Sequence, residues 1–102
     1  MIIVKAILDA QPGKEEELEI LLRAIVPKVQ AEEGTIEYAL HRALKTPGRF
    51  FFYEKYRDQE ACDYHMATSY LQELIKRFEG LLVYAPDLEL FEEIAGFNRT
   101  KG

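Results

Sequence analysis

The spacing of hydrophobic positions along this chain switches between a period of two and a period of three to four, and each switch marks a new element. From Ile2 to Leu8 both parities are apolar, with Ile2, Val4, Ala6 and Leu8 on one side and Ile3 and Ile7 on the other, which predicts an interior strand. Pro12-Gly13 stops it. Glu15, Glu16 and Glu17 then occupy the first turn of a helix, where negative charge suits the dipole, and Leu18, Leu21, Leu22, Ile25, Val26 and Val29 form its single apolar stripe. Pro27 removes a backbone donor within that stripe, predicting a kink or a distorted last turn before Gly34 ends the element.

A strand from Ile36 to Leu44, a tight turn over Lys45 to Arg49 and a strand from Phe50 to Arg57 read as a hairpin. Placing Leu44 opposite Phe50 puts Tyr38, Leu40, Arg42, Phe52, Glu54 and Tyr56 on one face. Ala39, His41, Phe51, Tyr53 and Lys55 share the other, and Arg42 and Glu54 become plausible neighbours. Any register with an even sum of paired positions keeps these two sets intact. Phe50, Phe51, Phe52 and Tyr53 carry aromatic rings to both faces of one strand, so that strand needs cover on both.

Asp58 is suited to cap a short helix, Gln59 to Met66, that carries His65. Ser69 with Gln72 resembles a capping box, which starts a further helix near Tyr70 with Leu71, Leu74, Ile75, Phe78, Leu81 and Leu82 as its stripe and Gly80 near its end. Pro86 leads into a last strand, Asp87 to Ile94, and the tail from Gly96 is expected to fray. The order strand, helix, strand, strand, helix pair, strand is the α+β ferredoxin-like split βαβ plan, a four-stranded antiparallel sheet in one domain over residues 1–102. That plan puts the first and third strands at the centre of the sheet. Those are the two strands that are apolar on both sides. Helices cover one face, and a partner sheet is needed for the other.

A net charge of −5 argues against a grip on nucleic-acid backbones or anionic membranes. Cys62, alone in the chain, forms neither an internal disulfide nor a thiolate metal cluster and fits a reducing compartment. No apolar run reaches the ~18 residues of a membrane span, and the start is too short for a signal peptide, so the expectation is a soluble, cytoplasmic protein. Phosphate loops, Cys-x-x-Cys, His-Glu-x-x-His and serine-elbow motifs are absent, and Glu15 to Glu19 read as a solvated helix face with no metal implied.

The chemistry-bearing candidates lie along the hairpin and the short helix. His65 should look toward the sheet, and an imidazole suits proton transfer near neutrality. His41 sits between small Ala39 and Ala43, where a cleft or a solvent-facing edge are both open readings. Arg42 with Glu54 could hold a polar substrate atom or form a cross-strand ion pair. Tyr38, Tyr53, Tyr56 and Tyr64 could line an aromatic pocket, or serve as packing with hydroxyls at the rim.

The run Glu33-Gly34-Thr35-Ile36-Glu37-Tyr38-Ala39-Leu40-His41-Arg42, then Pro47-Gly48-Arg49-Phe50, Tyr53-Glu54-Lys55-Tyr56 and His65-Met66-Ala67-Thr68-Ser69-Tyr70, resembles the antibiotic biosynthesis monooxygenase family of the dimeric α/β barrel superfamily, from Ile2 to about Ile94. The resemblance implies a homodimer whose two sheets face each other as a barrel, with a pocket in each subunit between sheet and helices. It implies a cofactor-independent oxygenase, using no metal or flavin, that acts with dioxygen on a small aromatic phenol or quinol. In this reading His65 matches the family's helix histidine and is the catalytic base. Glu54 matches its strand glutamate, and Tyr38, His41, Arg42, Tyr53, Glu54 and Tyr64 are the substrate-binding candidates. Tyr70 stands where many relatives have a second histidine, which weakens a two-histidine mechanism. With Tyr56 in place of a common Trp, and no Trp anywhere, the haem-degrading branch is disfavoured. Two rivals share the scaffold: a non-catalytic dimer that sequesters a small aromatic or signalling compound, and an isomerase, or an enzyme processing an aldehyde or signalling molecule, in which His65 moves protons without oxygen.

Overall fold

The computed structural model describes residues 1–99. Its elements are β1 (Ile2–Asp9), α1 (Glu15–Gln30), β2 (Thr35–Arg42), β3 (Arg49–Tyr56), α2 (Gln59–Met66), α3 (Ser69–Arg77) and β4 (Asp87–Glu92). The strands form one sheet in the order β2-β3-β1-β4, antiparallel throughout. This is the ferredoxin-like arrangement, with β1 and β3 central as their two-sided hydrophobicity requires.

One face of the sheet carries the helices. Val4, Ala6, Leu8, Phe50 and Phe52 are buried there, as are Leu18, Leu22, Ile25 and Val29 of α1 and Leu71 and Leu74 of α3. Leu18, Leu22 and Val29 are wholly shielded, which favours folding by about 1.5–3 kcal/mol for each such side chain. α2 covers a smaller cluster of Val4, Tyr56, Ala61 and Cys62. The other face has no helix. Along β3 every odd residue is half-buried and every even one from Phe50 on is buried, so Phe51, Tyr53 and Lys55 form part of an open surface.

The hairpin register differs from the expected one by two residues. Arg42, not Leu44, lies opposite Phe50, because the chain leaves the ladder at Ala43 and the connection is longer. The sum of paired positions stays even, so the face assignments from Tyr38 to Tyr56 hold. Arg42 and Glu54 are not neighbours: Tyr38 pairs with Glu54, and Arg42 reaches across to Glu19 on α1 at 2.5 Å. A β-bulge between Thr35 and Glu37 leaves Ile36 exposed and aligns Thr35 with Tyr56. Bulges re-aim side chains in this way, and here the Thr35 hydroxyl gains a partner in Glu32.

α1 runs through Pro27 and closes with short i→i−3 bonds from Ala31 to Lys28 and from Glu32 to Val29, so the distortion is a tightened end beyond the proline. It ends before Gly34. That glycine instead permits a close approach, since a Cβ there would lie 2.4 Å from the Ala61 Cβ of α2. Asp58 caps α2 as expected, accepting from the Ala61 N–H at 2.9 Å. The capping box at Ser69 does not form: Ser69 is already helical, Thr68 holds the cap position, and Gln72 donates to the Met66 carbonyl. α3 stops at Arg77, leaving Leu81 buried in the following turn and Leu82 buried at a bridge to Ala10, and β4 ends at Glu92, two residues short of the expected Ile94. Residues 96–99 of the tail have no regular structure, and its last three positions lie outside the described residues. Among the described residues no helix is long and apolar enough to cross a membrane.

Candidate active site

His65 lies on the one face of α2 that is buried, with Ala61 and Cys62, and is itself 2% exposed. A histidine buried this deeply needs partners. Its Nδ1 sits 3.2 and 3.1 Å from the two carboxylate oxygens of Glu32, in the turn after α1. Thr35 also donates to Glu32 Oε1, at 3.1 Å, and the Tyr70 hydroxyl donates to Oε2. Two hydroxyl donors and one imidazole nitrogen, from three elements, thus converge on one carboxylate. The Thr68 hydroxyl holds the end of α2 by donating to the His65 carbonyl at 2.8 Å.

On its other side the ring points Nε2 at Glu54, with 4.0 Å to Oε1, and is flanked by the rings of Tyr38 and Tyr56, each with its centroid 5.4 Å away. Glu54 is buried on β3 and accepts one hydrogen bond, from the Tyr56 hydroxyl at 2.6 Å. Burial pushes its carboxyl up to about 7; the Tyr56 bond opposes that shift and the charge of Glu32 adds to it. Burial, with Glu54 close by, raises both Tyr38 and Tyr56, so these phenols stay protonated. Tyr70 rises to about 12, through burial and its bond to Glu32. The Cys62 thiol is pushed up by burial and stays a thiol. Among the described residues no three His, Cys, Asp or Glu side chains converge as a ligand set.

Glu54, His65 and Tyr38 line a cavity of about 70 Å³ between the sheet and α3. Its remaining walls are apolar, among them Val4, Ala6, Phe52, Leu71, Leu74 and Phe78. A space of about 150 Å³ holds benzene, so an aromatic ring enters only if the lining yields. Met66, Ile75 and Leu88 are the exposed side chains of that lining and form its mouth, between α2, α3 and β4.

A family model described as antibiotic biosynthesis monooxygenase matches residues 1–77 of this chain. The chain belongs to the antibiotic biosynthesis monooxygenase family. It is 29% identical over 82 residues to "Putative monooxygenase YcnE" of Bacillus subtilis (strain 168), covering 80% of this chain and 86% of that one. It is 26% identical over 91 residues to the uncharacterized protein sll1783 of Synechocystis, where 89% of the chain spans only 62% of the relative's length. The crystal structure of PA3566 from Pseudomonas aeruginosa superposes with a TM-score of 0.86 at 30% identity, covering 92% of this chain and 94% of that one.

Within this member of the antibiotic biosynthesis monooxygenase family, the fold brings together three of the seven residues expected to act in catalysis or substrate binding, His65, Glu54 and Tyr38, and adds Tyr56 of the aromatic set beside them. The other four lie elsewhere. His41 is exposed on the open face, packed on Phe51 with ring centroids 5.3 Å apart, and Tyr53 shares that face, opposite Ala39 and Lys5. Arg42 is tied to Glu19 beside an open surface cleft with Arg23, and Tyr64 is 64% exposed on the outer side of α2. Glu32, the partner of His65, was missed. A signal for it exists: the buried series Leu18, Leu22, Ile25, Val29 continues at Glu32, a carboxylate at the next inward position.

Proposed function

We propose that this protein is a monooxygenase acting on a small electron-rich aromatic, a quinol or phenol, and that it works as a homodimer. The observation that carries the reading is one apolar cavity faced by both the imidazole of His65 and the carboxyl of Glu54, with Nε2 4.0 Å from Oε1 and the Glu54 carboxyl pushed up by burial. His65 takes a phenolic proton. The anion left behind is rich enough in electrons to reduce dioxygen, and a ring carbon forms the new C–O bond of a peroxide. Neutral Glu54 protonates the departing oxygen as the O–O bond breaks. The imidazolium supplies the second proton of that oxygen, and the C–H on the carbon bearing the peroxide gives its proton to Glu54, so that quinol and dioxygen become hydroxyquinone and water. Tyr38, held as a protonated phenol on the cavity wall, supports the oxyanions that develop, while the Tyr56 hydroxyl holds Glu54 in place. The apolar walls exclude water, which strengthens each of these interactions.

A base and an acid that share one cavity also suit a keto–enol shift, in which the same two groups move protons without oxygen. Oxygen uptake with a panel of quinols separates the readings. The parent protein should consume oxygen in step with substrate, and His65→Ala should slow this roughly 100-fold or more, as loss of a general base does. Uptake in His65→Ala equal to that of the parent would remove the assigned base. Turnover that persists without oxygen would favour the isomerase.

A further inference from the structure

The proposed reaction leaves Glu32 without a role. We infer that Glu32 is a positioning residue: through the Nδ1–H of His65 it fixes the ring with a bare Nε2 facing the cavity, and it steadies the imidazolium formed when substrate gives up its proton. The inference rests on the reading of His65 as base.

The geometry leads there directly. Both oxygens of Glu32 lie within hydrogen-bonding distance of Nδ1. A carboxylate only accepts, so Nδ1 must be the nitrogen that carries hydrogen, and the lone pair is left on Nε2. A carboxylate that holds the far nitrogen of an imidazole sets tautomer and orientation without meeting the substrate. Glu32 is placed to do only this. It is 6% exposed, absent from the cavity wall, and separated from the cavity by the ring it holds.

The two buried glutamates are held in unlike settings. Glu32 receives hydrogen bonds from His65, Thr35 and Tyr70, and its edge lines an outer cleft with Arg57, Glu33 and Glu60, where water can approach. Glu54 has the Tyr56 hydroxyl alone and an apolar cavity in front of it. The titratable groups facing His65 are therefore Glu32 from the turn after α1, Glu54 and Tyr56 from β3 and Tyr38 from β2, with Tyr70 of α3 acting through Glu32. Among the described residues, Glu32 alone contacts Nδ1.

When the substrate O–H breaks, its electron pair stays on oxygen and its proton forms the Nε2–H bond. The imidazolium keeps its Nδ1–H against Glu32 until Nε2 returns a proton to a product oxygen. No electrons leave the pair, and it ends the cycle as it began.

The test begins with ring 15N spectra of the unmodified protein at neutral pH. The chain has two histidines, so a His41→Gln variant, altered on the open face, identifies the His65 signals by what remains. The expected spectrum shows neutral His65 protonated at Nδ1. A ring protonated at Nε2 alone would overturn the inference, and this reading needs neither turnover nor a variant at Glu32. Kinetics with a quinol substrate follow. Glu32→Gln should lower kcat at least 10-fold with KM within twofold of the parent, and Glu32→Asp should recover part of the loss. A kcat in Glu32→Gln within twofold of the parent would overturn the inference as well. Should every quinol prove inert while His65 still carries its proton at Nδ1, the proposed reaction fails and the positioning role stands.

Discussion

A buried carboxyl with a single donor is poised between two protonation states, and Glu54 is that residue here. Its carboxyl ionises near 4.5 in an unfolded chain and near 7 in the fold. Between those values the folded protein holds a proton that the unfolded chain has released, so stability falls as pH rises through that window and levels off above it. The shift corresponds to on the order of 3 kcal/mol. Glu54→Gln removes the titrating group while keeping a partner for the Tyr56 hydroxyl. Urea midpoints measured from pH 4 to 8 should therefore fall more steeply in the parent than in the variant, and parallel profiles would show that Glu54 is not the buried acid described. At this scale the sequence disclosed the reactive groups better than their partners. His65 and Glu54 are residue types that announce chemistry. Glu32 sits among five other glutamates of α1 and its flank, and only its inward position in the stripe distinguishes it from solvated neighbours such as Glu33.

The site depends on how closely α2 approaches the turn that follows α1, because His65 rides on one and Glu32 on the other. Gly34 and Ala61 set that distance. A methyl group at Gly34 would meet the Ala61 Cβ at 2.4 Å, closer than packed side chains ever come, so α2 or the turn must move. Gly34→Ala should cost about 1–3 kcal/mol of stability, as overpacking does, and should lower turnover further than that loss explains, since the Glu32–His65 contact shifts with the backbone. Equal thermal stability and equal turnover in parent and variant would contradict this. Element order, strand centrality and face assignments were legible in the sequence because they follow from periods of two and 3.6, which survive small errors of register. The expected neighbourhood of Arg42 and Glu54 does not occur. It depended on hairpin loop length, and the chain leaves the ladder two residues earlier than the apolar pattern implies. Parity alone put Glu54 on the helix side of the sheet and His41 and Tyr53 on the other, whatever the loop length, while Tyr64 points outward from α2.

For the whole molecule, the governing feature is a sheet that is apolar on both sides. Its inner face makes the cavity. Its outer face carries Ile3 and Ile7 of β1, Phe51 and Tyr53 of β3 and Phe91 of β4, half-buried or exposed in the single chain. The lysines among them are already matched, Lys5 with Glu89 at 3.8 Å and Lys55 with Glu93 at 2.9 Å, so little charge opposes a partner. A contiguous apolar surface of this kind marks an interaction site, and two such sheets pack about 10 Å apart face to face. In the proposed homodimer each sheet covers the other, and His41 and Tyr53 lie between the two copies. Sedimentation velocity at micromolar concentration tests this most directly. The parent should sediment as a dimer, and Phe51→Lys, which sets a charge in the middle of the outer face without touching the inner one, should sediment as a folded monomer. A parent that remains a single well-behaved subunit across that range would contradict the account.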